Sequence, residues 1–282
     1  MSLFIASLNS GSNGNCYYIG NTKEAVLVDA GFSCREIEKR MLRLGLSLLK
    51  VKAIFISHEH SDHIRGVEVL SKKYKLPVYI TDPTLKAGRL HIDKSLVKNF
   101  KAYQPVTFGE LSVFAFPKLH DASDPYSFII ESKEIKIGVF TDIGSNCEHV
   151  IRNFKLCNAI FLEANYDEKM LDAGRYPFYL KARIRSDKGH LSNDQALDLF
   201  IRHKPEFMSH VFLSHLSKDN NSPQLVHDLF TKHAGNTNVI VASRYKETAV
   251  YHINNISGPL NNQGKFPDES MQMSLFNTGQ AL

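Results

Sequence analysis

The sequence has only four cysteines among its 282 residues, and no apolar segment in it reaches the length needed to cross a membrane. The cysteines show no C-x-x-C spacing, which excludes a zinc ribbon and a disulfide framework and indicates reduced thiols. They are Cys16, Cys34, Cys147 and Cys157. The first eight residues have neither the basic start nor the apolar run of a signal peptide. We therefore expect a soluble protein of the cytoplasm without membrane contacts.

A strong charge of either sign is also missing. The 34 lysines and arginines exceed the 29 aspartates and glutamates by only five, which agrees with a polyanionic partner but does not establish one. Hydrophobic residues make up 43% of the chain, enough for a sizeable core in one large domain or two small ones. Short apolar runs alternate with amphipathic segments, which predicts a mixed α/β fold.

One loop concentrates side chains that bind metal ions. An apolar, β-branched run from Val51 to Ile56 reads as a buried strand, and His58, His60, Asp62 and His63 follow at its carboxyl end. The first two histidines can share one cation, and the other pair can face a second. With 13 histidines in the chain, the pattern H-x-H-x-D-H would arise by chance in on the order of one such sequence in a thousand. Solvated loop histidines are the alternative.

Further ligand candidates stand at the ends of later apolar runs. His120 follows a strand predicted over 111–116, Asp142 closes the run 137–141, and His215 ends the run 211–214. Each alone would suit a polar residue that caps a turn. Together with the histidine-rich loop, they indicate a two-metal site.

These motifs, taken in order, resemble those of the metallo-β-lactamase superfamily. The resemblance spans roughly residues 1 to 253 and implies a four-layer αβ/βα sandwich. It implies one metal on His58, His60 and His120, a second on Asp62, His63 and His215, and Asp142 as the bridge. Asp29, which follows a strand, is a candidate for orienting one of the ligand histidines.

The ligand set distinguishes branches of the superfamily. Lactam hydrolases of this fold have no carboxylate at the bridging position, where this chain has Asp142, and redox di-iron members replace the histidine at position 60 with glutamate. Two bridged cations can instead activate a water and clamp both the attacking and the leaving oxygen of a phosphodiester. The ligands suit zinc, manganese or iron, and the choice among them stays open.

A second motif runs from Gly189 to Ala196. Ser192 and Gln195 form a capping box, so that Asn193 begins a helix whose amino end attracts anions. His190 stands just outside this helix, either as a surface histidine or as a general acid that protonates the leaving oxygen, beside Asp62 and Asp142 as catalytic candidates. The segment resembles the H-S-T-A-x-Q-A segment of tRNase Z nucleases, whose histidine has such a role.

Several motifs together resemble the YycJ/WalJ family. They are residues 9–16, Glu163-Ala164-Asn165, Arg183-Ile184, the Gly189 motif and residues 215–221. The resemblance implies a 5′-to-3′ DNA exonuclease active in DNA repair. An RNA-processing nuclease, a small-molecule phosphodiesterase, a lactone or thioester hydrolase, and a non-enzymatic DNA-binding protein are the alternatives.

Candidates for substrate contact are Ser192, Asn193, Arg183 and Lys218. The segment 165–188 interleaves aromatic and basic residues, either to stack on bases and hold phosphates or as a solvated loop.

The composition changes at residue 254, and we expect a nuclease domain over 1–253 and a flexible tail over 254–282. The tail contains Gln272-Met273-Ser274-Leu275-Phe276. This pentapeptide resembles the motif with which bacterial replication and repair proteins bind the DNA sliding clamp. The resemblance implies that Leu275 and Phe276 fill an apolar pocket while Gln272 adds polar contacts; packing of the tail on its own domain is the alternative.

Overall fold

The computed structural model describes residues 2–254, which form two seven-stranded sheets with helices on their outer faces. The elements of the first half are β1 (Ser2–Asn9), β2 (Cys16–Gly20), β3 (Ala25–Val28), α1 (Cys34–Arg43), β4 (Val51–Phe55), α2 (Ser61–Ile64), α3 (Val67–Tyr74), β5 (Val78–Tyr79), α4 (Asp82–Ala87) and β6 (Val97–Lys98). Those of the second half are β7 (Val106–Phe108), β8 (Leu111–Pro117), β9 (Tyr126–Ser132), β10 (Ile135–Phe140), α5 (Glu148–Phe154), β11 (Ala159–Glu163), α6 (Glu168–Ala173), α7 (Phe178–Arg185), α8 (Asn193–His203), β12 (His210–Ser214), α9 (Pro223–Thr231), β13 (Asn238–Val241) and β14 (Tyr251–Asn254).

The two sheets share one plan. The first has the order β14-β1-β2-β3-β4-β5-β6 and the second the order β13-β12-β11-β10-β9-β8-β7. In each, an antiparallel meander is followed by parallel strands, from β3 to β6 and from β10 to β13. Parallel strands place their carboxyl ends at one edge, where the loops collect functional side chains.

Apolar residues on both faces of the strands divide the core into three clusters. On β3, Val26 and Val28 point into the space between the sheets, whereas Leu27 packs outward with Ile37 of α1. On β11, Phe161 points inward while Leu162 packs outward with the helices of the second half. The period of two along each strand thus produces four layers, helix, sheet, sheet and helix, and confirms the predicted sandwich.

Local signals predicted several elements well. The sequence predicts helices over 67–74 and 193–203, and both have these bounds; the second carries the capping box of Ser192 and Gln195. The turn-rich segment 9–15 predicts a hairpin loop, and it joins the antiparallel neighbours β1 and β2. The apolar run 249–253 predicts the last strand, which lies at 251–254, so that Asn254 belongs to the sheet.

The segment 165–188 corrects one expectation. The sequence predicts residues that contact bases and phosphates, or a solvated loop, and assigns no secondary structure here, but the segment contains the helices α6 and α7. No helix in the described part of the chain is both long and apolar enough to span a bilayer. The expected tail from residue 255 onward, with its pentapeptide, lies outside the described residues.

Candidate metal centre

The predicted ligands meet at the strand-end edge that the two sheets share. His58 to His63 follow β4, with His60 as the residue that precedes α2. From the second sheet, His120 follows β8, Asp142 follows β10, and His215 follows β12. Residues up to 157 positions apart in the chain are thus brought together by the strand order, because one edge collects the ends of both parallel units.

Their side-chain ligand atoms fall into four overlapping groups among the described residues, and two of these groups divide the predicted ligands. His58, His60 and His120 make one, and Asp62, His63 and His215 make the other; within each group the atoms lie within 4.8 Å of one another. Asp142 lies between the groups, with Oδ2 3.1 Å from Nε2 of His63 and Oδ1 3.7 Å from Nε2 of His120. This is the grouping that the family resemblance implies.

Outer hydrogen bonds fix which nitrogen each imidazole presents. His63 Nδ1 donates to Asp29 Oδ2 at 2.7 Å, as predicted for Asp29. His120 Nδ1 donates to the Gly189 carbonyl at 3.0 Å, and His215 Nδ1 donates to Glu163 Oε1 at 2.9 Å. In each case Nε2 is left as the lone-pair nitrogen that faces the centre.

The carboxylates around the centre set its electrostatics. Burial alone would lower the pKa of His215, but the charge of Asp142 and the hydrogen bonds with Asp62 and Glu163 raise it to about 10. Burial acts the same way on His63, and the charges of Asp142 and Asp29 again raise its pKa well above the usual range. The negative charge that holds a proton on each of these two rings would stabilise a metal cation that displaces this proton from Nε2.

On the opposite side of the centre, burial dominates. It lowers the pKa of His120 to about 3 and holds that of His58 well below the usual range. Neutral imidazoles are the form that binds metal ions.

Two buried atoms show that this donor set fits metal ions. Among the described residues, Nε2 of His120 and Oδ2 of Asp142 find no hydrogen-bond partner, although the latter lies close to His63. Leaving such atoms unpaired costs about 1–3 kcal/mol each. Imidazole and carboxylate donors that converge in this way suit divalent transition metals.

Glu163 connects the ligands to the histidine of the second motif. This buried carboxylate, at the end of β11, accepts hydrogen bonds through Oε1 from Nδ1 of both His190 (2.8 Å) and His215 (2.9 Å). Through Oε2 it accepts from the backbone N–H groups of Ile143 (2.6 Å) and Leu191 (3.4 Å). Burial would raise the pKa of Glu163, but the charge on His190 and these hydrogen bonds lower it to about 2. A fully ionised carboxylate thus stands beside a histidine that is partly exposed.

Three of these strand-end residues have left-handed backbone conformations. Asp29, Asp142 and His215 have φ of 60°, 55° and 57°. For a residue with a Cβ this conformation costs roughly 1–2 kcal/mol. It turns each chain sharply at the end of its strand and directs the side chain back over the sheet edge.

Two more residues support the centre. Asn15 Nδ2, in the first hairpin loop, lies 3.2 Å from Asp62 Oδ2 and 3.1 Å from His63 Nε2. Lys118 is buried, and its ammonium donates to the Thr141 carbonyl, next to Asp142, at 2.6 Å. Burial lowers the pKa of this lysine, while the nearby carboxylates oppose that effect.

The predicted substrate contacts have different surroundings. Ser192 caps α8 and Asn193 bonds to Asn221, and both side chains are buried. Arg183, on α7, forms an ion pair with Asp121, next to His120. Lys218 is exposed, three residues after His215. Contact of these residues with a substrate stays a prediction, as does partner binding by Gln272, Leu275 and Phe276, which lie outside the described residues.

Sequence reasoning assigned no role to Glu163, Asn15 or Lys118. Glu163 appeared only within a family motif, although a carboxylate at the end of an apolar strand was the signal used for Asp142. Asn15 stood in a loop that was read as a turn. Lys118 offered no signal, because a lysine after a strand is ordinarily a solvated residue.

Comparison with known proteins identifies the relatives of the chain. The profile of the Metallo-beta-lactamase superfamily matches residues 10–149. Exodeoxyribonuclease YycJ of Bacillus anthracis is 36% identical over 230 residues, which cover 80% of this chain and 86% of that protein. Exodeoxyribonuclease WalJ of Streptococcus pneumoniae is 35% identical over 229 residues, which cover 78% of this chain and 84% of that protein.

Among solved structures, the metallo-beta-lactamase fold protein YhfI from Bacillus subtilis superposes with a TM-score of 0.69. The match covers 89% of this chain and 100% of that one at 16% sequence identity. At this identity the likeness shows the fold alone.

Proposed function

This chain belongs to the metallo-β-lactamase superfamily and, within it, to the YycJ/WalJ family, and on that basis we propose that it is a two-metal phosphodiesterase that removes nucleotides from the ends of DNA. The observation that carries the proposal is the pair of ligand groups with Asp142 between them, adjoined by the Glu163 and His190 pair. We assign the 5′-to-3′ direction and the role in DNA repair from the family resemblance.

Each of the two groups of ligands would bind one cation. His58, His60 and His120 would hold one, Asp62, His63 and His215 the other, and Asp142 would contact both. Such cations, when bound, act as Lewis acids on a phosphodiester and lower the pKa of the attacking water. We propose zinc, manganese or iron, because imidazole and carboxylate donors suit all three. Elemental analysis of the purified protein should find two metals per chain, and a well-occupied preparation with one would contradict the bridged site.

His190 is placed to handle a proton. Because its Nδ1 donates to Glu163, Nε2 is the atom that can carry a proton to the leaving oxygen. The carboxylate fixes the orientation of the imidazole and the proton on its Nδ1, as a buried carboxylate does for a catalytic histidine in other hydrolases. The partial exposure of this ring gives a bound strand access to it.

His190→Ala tests this role. The variant should keep its metal content and lose roughly 10²- to 10⁴-fold in turnover, the usual contribution of a positioned general acid. Retained turnover would return His190 to the role of a surface residue. Parallel metal analysis shows whether the loss arises from the ligands instead.

DNA is the proposed substrate because the two relatives that this chain covers almost completely are both named exodeoxyribonucleases. Purified protein incubated with Mn²⁺ and end-labelled single- and double-stranded DNA should release nucleotides from one end. Labels at the two ends establish the direction. Absence of release with Mn²⁺, Zn²⁺ and Fe²⁺ would contradict the nuclease function, and hydrolysis of a small phosphodiester alone would favour a small-molecule substrate.

The DNA sliding clamp is a proposed partner through Gln272, Leu275 and Phe276. A tail peptide titrated against purified clamp should bind at micromolar levels, as a single short motif does. A peptide with Leu275→Ala and Phe276→Ala is the control, and equal binding by both peptides would discard the proposal. A cytoplasmic location is proposed from the four unpaired cysteines.

A further inference from the structure

Two large aromatic side chains project from α7 beside the candidate metal centre. Phe178 is 86% exposed and Tyr179 is 74% exposed, and no residue of this eight-residue helix is buried. Leaving apolar surface in water costs about 25 cal/mol per Å², and adjacent exposed aromatics commonly mark a binding surface. The exposed pair is therefore a candidate binding surface.

The carboxyl end of α7 is hydrogen-bonded to the site. The backbone N–H of His190 donates to the Ile184 carbonyl at 2.9 Å, and that of Asp121 donates to the Lys188 carbonyl at 2.9 Å. The Gly189 carbonyl accepts from His120. The helix thus starts at the aromatic pair and leads directly to the histidine that handles a proton.

Helix geometry gives the distance along α7 from the aromatic pair to Ile184, which contacts the backbone of His190. From Phe178 to Ile184 the chain advances six residues, or about 9 Å along the helix axis. Stacked nucleotides in one DNA strand are about 3.4 Å apart along the helix axis. The separation of the aromatic pair from Ile184, whose carbonyl holds the backbone of His190, is therefore a length that about three stacked nucleotides span.

The basic side chains of α7 hold the helix in place. The helix contains Lys181, Arg183 and Arg185 and no acidic residue. Arg183 is paired with Asp121, and Arg185 with Glu168 and Asp172. These ion pairs anchor the helix to its surroundings and leave the exposed aromatic pair as the contact surface for bases.

We infer that Phe178 and Tyr179 stack on unpaired bases a few nucleotides from the scissile phosphate, so that the enzyme engages a single-stranded DNA end. The inference rests on the proposed nuclease function and adds the form of its substrate. Every base has a π-face, so such stacking holds a strand without reading its sequence. In a duplex, stacking between neighbouring base pairs covers both faces of every base except the outer face of the last pair. A duplex end must therefore open by a few nucleotides before these rings can bind the bases behind that pair.

The test compares three substrates. They are a single-stranded oligonucleotide, the same oligonucleotide without bases at the second to fourth positions from the cleaved end, and bis(p-nitrophenyl) phosphate. Phe178→Ala/Tyr179→Ala should lower kcat/KM on the intact oligonucleotide roughly 10- to 100-fold, the worth of one to two lost stacks. Hydrolysis of the small phosphodiester should be unchanged, and the wild type on the abasic strand should fall to the level of the variant. Phe178→Trp/Tyr179→Phe should retain activity.

Phe207→Ala is the matched control. Phe207 is 55% exposed and precedes the amino end of β12, whereas the metal ligand His215 follows its carboxyl end. If the α7 double variant behaves like Phe207→Ala on the intact oligonucleotide, the inference is overturned and the aromatic pair belongs to another surface, such as a protein contact. An equal loss on the small phosphodiester would also overturn it. If the wild type hydrolyses the small phosphodiester but no DNA, the proposed function itself fails.

Discussion

Replacing Glu163 with glutamine tests how the metal ligands and His190 are linked. The change keeps the size of the side chain and removes its charge and one of its two acceptor oxygens. The native carboxylate accepts four hydrogen bonds, two from imidazoles and two from backbone N–H groups. Whichever way the amide is oriented, its NH₂ group faces two donors, and two hydrogen bonds are lost.

The lost hydrogen bonds determine the expected effects on stability, metal binding and turnover. Two buried donors left unsatisfied cost about 2–6 kcal/mol of stability in total, which should lower Tm by roughly 4–24 °C for a domain of this size. Loss of the group that orients His215 should weaken metal binding about 10- to 100-fold. Loss of the partner that orients His190 should lower turnover at saturating metal by about 10²-fold or more.

Asp29→Asn is the matched control. Asp29 orients His63 as Glu163 orients His215, but it does not contact His190. We expect weaker metal binding in this variant and a turnover near that of the wild type once metal is saturating. Metal affinity is measured by competition with a chelating dye, and turnover by release of end-labelled nucleotides.

A double variant completes the test. If Glu163 acts on turnover through His190, then Glu163→Gln in a His190→Ala background lowers turnover no further, because the two residues act as a unit. Wild-type turnover in Glu163→Gln at saturating metal, or an equal loss in Asp29→Asn, would refute the reasoning.

Three further predictions concern stability. Burial lowers the pKa of His210 to about 4, so the folded state binds fewer protons than the unfolded state between pH 4 and about 6.5, and the stability contributed by the neutral ring is lost as the pH falls through that window. His210→Gln should therefore make the drop in Tm between pH 7.5 and 5 smaller, by an amount equivalent to about 1–2 kcal/mol. An unchanged drop in Tm would contradict this prediction. Gly31→Ala would place a Cβ 1.6 Å from the Asp62 carbonyl oxygen, so we expect the free energy of unfolding to fall by about 3 kcal/mol or more and metal binding, measured by calorimetry, to weaken. Gly88→Ala is the control; its Cβ would meet Ile64 Cδ1 at 3.0 Å, and both properties should change little. Removing the metal with a chelator should lower Tm by about 5–10 °C for each site, if the free metal concentration was a hundred times the Kd of that site before chelation. A Tm that the chelator leaves unchanged would count against metal binding by the folded protein.

Local signals explain what could be predicted from the sequence. The capping box at Ser192 and Gln195 and the apolar stripe of α8 act within a few residues, so both the start and the end of that helix were predicted correctly. The strand-end positions of the metal ligands followed from apolar runs that end at His58, Asp142 and His215. The four-layer architecture came from the family resemblance and not from periodicity.

What was missed depends on contacts that no local pattern encodes. The helix α7 has no buried residue and therefore lacks the apolar stripe that would have revealed it. β6 and β7 are too short to show an alternation. The role of Glu163 arises from two histidines that lie 27 and 52 residues further along the chain, and only the folded sheet brings them together.

The left-handed backbone at Asp29, Asp142 and His215 bears on how this protein can evolve and be engineered. At each of these positions glycine would adopt the same conformation without the steric cost, so it would relieve roughly 1 kcal/mol of strain while deleting a functional side chain. At Asp29 this gain is smaller than the loss, because glycine would remove the acceptor for His63 and for the backbone N–H and hydroxyl of Ser57, and each buried donor left unpaired costs about 1–3 kcal/mol. Stability and the metal centre are thus linked at Asp29, and a variant that loses this side chain should lose both.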